Sequence, residues 1–261
     1  MEQDKRREYL IRELLKEEPR YRQIEVPKDA AGQKDLLRSL MNVRPPRPVS
    51  EEFLSVQDAY LRRAISEKGI TRLEDLSRAH GSLYLWKGDI TTLECGAIVN
   101  AANSRMLGCF RPLHACIDNC IHTYAGVQLR LKCAQIMEAQ GYEEPTGRAK
   151  ITPAYNLPAQ YVLHTVGPIV HGRLMEEHER LLASCYSSCL ELAAGNGLES
   201  VAFCCISTGV FMFPNRRAAE IAIKTVGDWL RETGSGMKVI FNVFKDTDLA
   251  IYQNLLNEYI P

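Results

Sequence analysis

The sequence lacks an apolar run of the roughly 20 residues that a membrane-spanning helix needs, and it has no excess of charge of either sign. Its 32 basic and 32 acidic side chains give a formal net charge of zero, which argues against a protein built to coat nucleic acid or an anionic membrane. Residues 1–4 do not begin a secretory signal, so we expect a cytoplasmic location. These features predict a soluble protein with neither a membrane nor a nucleic acid as partner.

The first 80 residues also lack cysteine and contain only two glycines, yet they hold 32 of the 64 charged side chains. Residues 81–261 hold all nine cysteines and the other 15 glycines. Patterns typical of helices occur over residues 8–18, 34–42 and 51–67, and a proline-rich connector at 44–48 separates the second from the third. This shift in composition predicts two units, a helical N-terminal extension over residues 1–80 and a second domain over residues 81–261.

Beyond residue 81, short apolar strands alternate with long helical patterns. The predicted strands are residues 83–87, 97–99, 149–152, 161–166, 201–207 and 238–244. The predicted helices are residues 115–140, 173–196, 215–232 and 247–259. This alternation predicts an α/β fold with helices on both faces of a largely parallel sheet. In such sheets ligands bind beyond the carboxyl ends of the strands, where we expect Asp89, Asn100, Asn103 and Thr208 to lie.

Nine cysteines without a secretory signal indicate reduced thiols, several of them buried, rather than a disulfide framework. Three side chains, Cys109, His114 and Cys116, lie within eight residues of one another at the mouth of a predicted helix. Zinc prefers thiolate and imidazole ligands, and three protein ligands leave a fourth position for water or substrate. We therefore predict one zinc per chain. Cys120 and His122 on the same helix are competing ligands or core residues, and a loop without metal is the remaining alternative.

Three other positions carry groups suited to a nucleotide. Asp89 follows a strand and could accept a hydrogen bond from an adenine amino group, or it could simply cap a helix. Asn103, at another strand end, could bond a sugar or shape the turn. In the loop after residue 207, Gly209 permits close backbone approach to a phosphate, which the N–H groups of Val210 and Phe211 could face. The alternative is that the aromatic side chains of this loop only plug the surface.

Four segments in this order resemble a macrodomain. They are GDIT at residues 88–91, VNAAN at 99–103, IDNCIHTYAG at 117–126 and ISTGVF at 206–211. In typical ADP-ribosyl hydrolases of that family a glycine-rich loop precedes the catalytic acid, whereas this chain has CFRPLHAC at residues 109–116. That departure resembles the microbial zinc-dependent macrodomains, which also carry a helical N-terminal extension. The resemblance covers about residues 82–261 closely.

The resemblance implies a three-layer α/β/α sandwich around a mixed, largely parallel sheet, which binds ADP-ribose and removes mono-ADP-ribose from modified proteins. Zinc would be held by Cys109, His114 and Cys116, next to Asp118 in the place of the catalytic acid. The implied contacts with ADP-ribose are Asp89 and Ile90 at the adenine, Gly209, Val210 and Phe211 at the diphosphate, and Asn103 at the distal ribose and in catalysis. Ser207 and Thr208, in the same loop as Gly209, are implied ligand-binding residues as well. Zinc-dependent members are associated with a sirtuin-type ADP-ribosyl transferase and a lipoyl-carrier protein related to the glycine-cleavage H protein.

The expected reaction is hydrolysis at C1 of the distal ribose. Zinc can lower the pKa of a bound water toward ~7, and Asp118 could orient that water or a ribose hydroxyl. A zinc ion that mainly positions the ribose is an open variant. Two other functions stay open, an ADP-ribose-binding module with structural zinc and a hydrolase of small O-acyl-ADP-ribose esters. Residues 1–80 could cover the ligand cleft or help to select the protein substrate.

Overall fold

The computed structural model describes residues 1–21 and 23–259. The helices within these residues are α1 (Gln3–Lys16), α2 (Ala30–Val43), α3 (Glu51–Lys68), α4 (Ile117–Ala125), α5 (Val127–Gln140), α6 (Glu176–Gly195), α7 (Asn215–Thr233) and α8 (Asp246–Glu258). The strands are β1 (Thr71–Arg72), β2 (Arg78–His80), β3 (Leu83–Lys87), β4 (Leu93–Glu94), β5 (Ala97–Ala102), β6 (Ala149–Pro153), β7 (Tyr161–Val166), β8 (Ser200–Phe203) and β9 (Lys238–Val243). In this part of the chain no helix combines the length and the apolar character that crossing a membrane requires.

Seven of the strands form one sheet in the order β2-β3-β9-β8-β5-β7-β6, and β1 pairs with β4 outside it. The five central strands run parallel, from β3 through β9, β8 and β5 to β7. The two edge strands, β2 and β6, are antiparallel to their neighbours. The sheet is therefore mixed and largely parallel, and the carboxyl ends of its central strands share one edge.

Helices cover both faces of this sheet. The chain passes from β5 through α4 and α5 toward β7 on one side of β5, and it returns through α6 and α7 to β8 and β9 on the other side. Because connections between parallel strands are right-handed, these opposite directions place α4 and α5 on one face and α6 and α7 on the other. Helix α8 packs against α7, β3 and β9 and completes the second helical layer. The predicted α/β/α sandwich is confirmed.

The buried face of α6 explains part of the high cysteine content. Leu182, Cys185, Tyr186, Cys189 and Ala193 follow one another at helical spacing, and all are buried against the sheet. All nine cysteines of the chain are free thiols, and five of them are buried. The expectation that several cysteines act as small apolar core residues is confirmed.

The N-terminal helices form a second apolar cluster that reaches the rest of the chain. Leu10, Leu37, Phe53 and Leu61, from α1, α2 and α3, pack in one cluster with Val127 at the start of α5. Helices α2 and α3 also contact α4. Strand β2, just before residue 81, pairs with β3 in the seven-stranded sheet. The N-terminal helices thus lie on the same side of the sheet as α4 and α5.

Two of the differences between the predicted elements and the structure concern residues 115–140 and 201–207. The pattern predicts one helix over residues 115–140, but α4 ends at Ala125 and α5 begins at Val127, because the φ angle of 101° at Gly126 lies outside the helical range. The apolar run predicts one strand over residues 201–207, but β8 ends at Phe203. Ser207 has a φ angle of 64°, which a strand does not accommodate. The loop after β8 therefore begins earlier than predicted.

Replacing Gly126 with alanine is expected to lower the free energy of unfolding by about 1–3 kcal/mol, because an L residue is strained at this φ angle. The new Cβ would also lie 2.6 Å from side-chain atoms of Gln57 and Gln128. Urea unfolding followed by circular dichroism measures the change. The matched control is Gly195→Ala, at a helical position where the Cβ meets no atom within 4 Å and where alanine should be neutral or stabilising. Equal stability of the Gly126→Ala protein and the wild type would contradict the prediction.

Candidate active site and metal centre

Three loops meet at the carboxyl edge of the sheet. The segment after β3 carries Asp89, the segment after β5 carries Asn103, and the segment after β8 carries Gly209. Strands β3, β9, β8 and β5 are parallel neighbours, so these loops leave the sheet on the same side. This edge is where open α/β sheets bind their ligands.

The contacts of Asp89 are compatible with both roles considered from the sequence, a helix cap and an acceptor for an adenine amino group. Its Oδ1 accepts hydrogen bonds from the backbone N–H of Thr91 at 3.0 Å and from the Thr91 hydroxyl at 2.6 Å, and so caps a short helical turn. Its Oδ2 pairs with Lys68 Nζ at 2.8 Å. Burial alone would raise the pKa of Asp89, but hydrogen bonds from Lys68 and Thr91 outweigh it and hold the pKa below its usual value. The carboxylate is therefore ionised and oriented. The side chain of Ile90 is buried, and its carbonyl accepts a hydrogen bond from the Leu93 N–H.

The loop after β8 presents free backbone donors. Within the described residues, the N–H groups of Gly209, Val210 and Phe211 donate no hydrogen bond to protein. The loop is held by Phe213 N–H donating to Ser207 O at 3.0 Å, and by the Phe211 carbonyl accepting from Val170 N–H at 2.9 Å. Phe213 is buried, while the side chain of Val210 is exposed. Phe213 therefore packs into the domain, as the alternative interpretation of the aromatic side chains in this loop predicts. The three consecutive free N–H groups form a set of donors suited to an anion.

The Thr208 hydroxyl donates to the Cys205 carbonyl at 3.0 Å, so it shapes this loop.

Asp118 lies at the start of α4 and is only 5% exposed. Its Oδ1 accepts from Asn100 Nδ2 at 2.8 Å, and its Oδ2 accepts from Asn103 Nδ2 at 3.4 Å. The same Asn103 amide donates to the Gly108 carbonyl at 3.2 Å, next to Cys109. Burial raises the pKa of Asp118 to about 6, against the opposing effects of Asn100, Arg130 and Asn103.

Asn100 does not lie at a strand end as predicted, because β5 continues to Ala102. It is fully buried and holds Asp118 from within the sheet.

The structure brings the three predicted metal ligands together. The sulfur atoms of Cys109 and Cys116 and a ring nitrogen of His114 all lie within 4.8 Å of one another, and Cys109 Sγ is 3.6 Å from His114 Nδ1. Bonds of about 2.3 Å to sulfur and about 2.1 Å to nitrogen separate two ligands by about 3.6 Å in a tetrahedral zinc site. All three side chains are partly exposed, so a cation can reach them. The donor set and its spacing fit zinc.

The competing ligands lie elsewhere. Cys120 Sγ contacts the Arg38 guanidinium at 3.7 Å, and His122 groups with Cys133 and His164 in the interior. The ring nitrogens of His164 already pair with Asn100 at 3.1 Å and Thr152 at 2.9 Å. Burial lowers the pKa of His164 to about 3 and that of His122 well below its ordinary value, so both rings are neutral. We interpret this second group as part of the core.

Sequence reasoning missed Phe244 and Lys68. Phe244 directly follows β9 and is 76% exposed, and the pairing of Val243 with Lys87 sets it beside the Asp89 loop. An aromatic residue just after an apolar strand was the available signal, but the sequence pattern assigns it to the strand itself. Lys68 ends α3 and stacks on the Tyr124 ring at 3.5 Å as well as pairing with Asp89. No local pattern connects it to a site 21 residues further along the chain.

Comparison with known proteins agrees with this geometry. A family model described as "Macro domain" matches residues 99–222. A "Protein-ADP-ribose hydrolase" of Treponema medium is 60% identical, and the match covers 98% of this chain and 100% of that protein. The chain belongs to the macrodomain family.

Two further matches place this macrodomain among its relatives. A crystal structure of a Trypanosoma brucei macrodomain in complex with ADP-ribose superposes with a TM-score of 0.65 at 30% identity, covering 84% of this chain and 94% of that one. A "Probable bifunctional ADP-ribose hydrolase/ADP-ribosyltransferase" of Fusarium oxysporum f. sp. cubense is 44% identical over 87% of this chain. The match covers only 42% of the length of that longer protein.

Proposed function

We propose that this macrodomain hydrolyses the bond between mono-ADP-ribose and a modified protein, with one zinc ion held by Cys109, His114 and Cys116. The observation that carries the proposal is the Asn103 amide, which donates to the Asp118 carboxylate and to the carbonyl of Gly108, one residue before the first ligand. The three proposed zinc ligands would then adjoin a buried carboxylate at the edge of the sheet where the proposed ligand binds. The hydrolase name of the relative at 60% identity supports the same function.

In the proposed complex the nucleotide spans the three loops. Asp89 Oδ2 accepts from the adenine amino group, with the Ile90 backbone beside it, and the exposed Phe244 ring stacks on the base. The N–H groups of residues 209–211 bind the diphosphate, whose negative charge matches a run of free donors. Ser207 and Thr208 shape this loop, and Asn103 bonds the distal ribose. C1 of that ribose then faces Asp118.

In the proposed reaction, a water oxygen forms a bond to C1 of the distal ribose as the bond from C1 to the acceptor side chain breaks. Asp118 takes a proton from that water, and the same proton then passes to the departing acceptor side chain, so that OH is added to C1, H is added to the acceptor and Asp118 is again a carboxylate. The Asp118 carboxylate also stabilises the positive charge that develops on the sugar. Asn100 and Asn103 hold the two carboxylate oxygens in place. Zinc held by Cys109, His114 and Cys116 would supply Lewis-acid polarisation of an oxygen atom.

Replacing Phe244 with alanine is expected to weaken ADP-ribose binding about 5- to 150-fold, because base–aromatic stacking contributes about 1–3 kcal/mol per base. The fold should survive, since the ring is largely exposed. Isothermal titration calorimetry measures the affinity. Phe244→Tyr keeps an aromatic face and serves as the matched control. Unchanged affinity in Phe244→Ala would remove this residue from the adenine subsite.

The proposed partner is the transferase that installs the modification. The Fusarium oxysporum relative carries both hydrolase and ADP-ribosyltransferase in its name, which supports a functional pairing of the two activities. We propose that the transferase is of the sirtuin type, that its modified target is a lipoyl-carrier protein related to the glycine-cleavage H protein, and that both act with this macrodomain in the cytoplasm.

The decisive experiment is release of ADP-ribose from a mono-ADP-ribosylated protein by the purified chain. Zinc content is determined on the same sample, and chelator-treated protein is assayed with and without added zinc. About one zinc per chain and a zinc-restorable loss of release support the proposal. Zinc with no release on several acceptor linkages would indicate an ADP-ribose-binding module. Faster turnover of an O-acyl-ADP-ribose ester than of modified protein would identify an ester hydrolase.

A further inference from the structure

We propose that helix α2 of the N-terminal region positions the zinc ligands, with Arg38 and Asn42 as positioning residues. The inference rests on the metal centre of the proposed function and gives residues 1–80 a role beyond covering the cleft or selecting a substrate. Within the described residues, neither residue makes a hydrogen bond to the side chain of a metal ligand. Each acts on the backbone of the segment that carries the ligands, residues 109–116, which contains no helix or strand.

Arg38 reaches this segment from the middle of α2. Its Nη2 donates to the carbonyl of His114 at 2.9 Å and to Asn119 Oδ1 at 2.9 Å. The first contact fixes the peptide that follows one zinc ligand. The second holds the side chain of a fully buried residue on the first turn of α4. A guanidinium suits this task because its planar donors hold two acceptors at once.

Asn119 connects Arg38 to both cysteine ligands through hydrogen bonds. Its Nδ2 donates to the carbonyl of Cys109 at 3.3 Å and to that of Arg111 at 2.9 Å. Its backbone N–H donates to Cys116 Sγ at 3.4 Å. The Oδ1 of Asn119 is the acceptor that Arg38 occupies. Removing the guanidinium therefore leaves a buried amide oxygen without its donor, in the residue that ties the two ends of the segment together.

Asn42, one turn further along α2, holds the middle of the segment. Its Oδ1 accepts from the backbone N–H of Leu113 at 3.1 Å, and its Nδ2 donates to Thr123 Oγ1 at 2.9 Å. Leu113 has a φ angle of 54°, a conformation that an L residue adopts only when its surroundings enforce it. Asn42 is buried, and its hydrogen bond to Thr123 on α4 holds its own side chain in place. The contact fixes the turn between Cys109 and His114.

These contacts preorganise the ligand segment before a metal binds. Three ligands on an irregular segment lose conformational freedom on binding zinc unless other groups already restrict the backbone. Partners beyond the ligands typically change metal affinity about 10- to 100-fold when they are removed. Arg38 and Asn42 supply such partners from positions 71 and 67 residues before the first ligand, Cys109. This arrangement makes the N-terminal region part of the metal centre.

The test is the zinc affinity of Arg38→Met and Asn42→Leu, measured by competition with a chromophoric chelator. The visible spectrum of the cobalt-substituted proteins reports ligand geometry independently of turnover. We expect about 10- to 100-fold weaker zinc binding in each variant and altered cobalt bands, with ADP-ribose affinity of the metal-free proteins near that of wild type. Arg38→Lys, which keeps one donor for the His114 carbonyl, should recover part of the affinity.

The matched control is Gln57→Met. Gln57 Oε1 accepts from Val127 N–H at 2.9 Å and its Nε2 donates to Gln128 at 2.7 Å, so it joins α3 to α5 without contacting the ligand segment. We expect this variant to lose stability and to keep wild-type zinc affinity.

Three outcomes would overturn the inference. The first is wild-type zinc affinity and cobalt spectra in every folded α2 variant. The second is a loss of zinc affinity in Gln57→Met equal to that in Arg38→Met, because any disturbance of the contacts between the N-terminal helices and the rest of the chain would then be enough to weaken zinc binding. The third is a wild-type chain that binds no zinc, which also removes the metal from the proposed function. A chain that binds zinc yet releases no ADP-ribose overturns only the proposed function, since the affinities still decide the role of α2.

Discussion

A Cys116→Ser protein is expected to contain almost no zinc and to release ADP-ribose at least about 100-fold more slowly than wild type, since a Lewis acid contributes several kcal/mol to such a reaction. Serine is a suitable replacement because Cys116 also caps α4, where its Sγ accepts from the Asn119 N–H. A serine hydroxyl is a preferred group at that position. The variant should therefore lose metal without losing the helix. Elemental analysis of the purified protein and the initial rate of release measure the two effects.

Cys120→Ser is the matched control for this prediction. Cys120 lies one turn beyond Cys116 on α4 but outside the group of three ligands, beside Arg38. It should keep about one zinc per chain. Loss of zinc in Cys120→Ser with retention in Cys116→Ser would show that the ligand set is assigned wrongly. Zinc and release both at wild-type levels in Cys116→Ser would contradict the metal centre.

The parts of the site that local sequence could predict are those set by short spacing. Cys109, His114 and Cys116 are close in the chain, so their grouping required only a loop before a helix. The parallel sheet followed from alternating strands and helices, and it brings the loops carrying Asp89 and Asn103 to one edge regardless of detailed packing. Both features depend on backbone topology, which hydrophobic periodicity encodes directly.

The parts that the sequence could not predict depend on contacts between distant residues. Arg38 donates a hydrogen bond to the carbonyl of a residue 76 positions away. Lys68, at the C-terminal end of α3, forms an ion pair with Asp89, which is not part of that helix. Each is an ordinary charged residue on a charged helix, and only tertiary packing distinguishes it from its neighbours. The break at Gly126 was similarly hidden, because a glycine within a helical pattern is tolerated at modest cost and does not by itself end the helix.

An Asp118→Asn protein is expected to hydrolyse the ADP-ribosylated substrate about 10²- to 10⁴-fold more slowly than wild type, because an amide cannot accept a proton from water. Zinc content should be unchanged, since Asp118 is not among the three ligands. The structure should tolerate the change. The oxygen of the new amide can accept a hydrogen bond from the buried Asn100, as Asp118 Oδ1 does at 2.8 Å. The NH₂ group of the new amide then faces Asn103. The Asn103 contact is longer, at 3.4 Å, and partly exposed, so the Asn103 side chain has room to rotate. Single-turnover release and ADP-ribose affinity separate chemistry from binding.

Asp248→Asn tests whether the loss of any buried carboxylate has the same effect. Asp248 is buried at the start of α8 and accepts from Asn215 Nδ2 at 2.6 Å, so its replacement should cost stability without slowing hydrolysis. Release by Asp118→Asn within about threefold of wild type would remove Asp118 from the reaction. The double variant Cys116→Ser/Asp118→Asn adds a sharper criterion. If the metal and the carboxylate act on one step at C1, the fold-decrease in release rate of the double variant will be much smaller than the product of the fold-decreases of the two single variants, because the effects of residues that act as a unit are not additive.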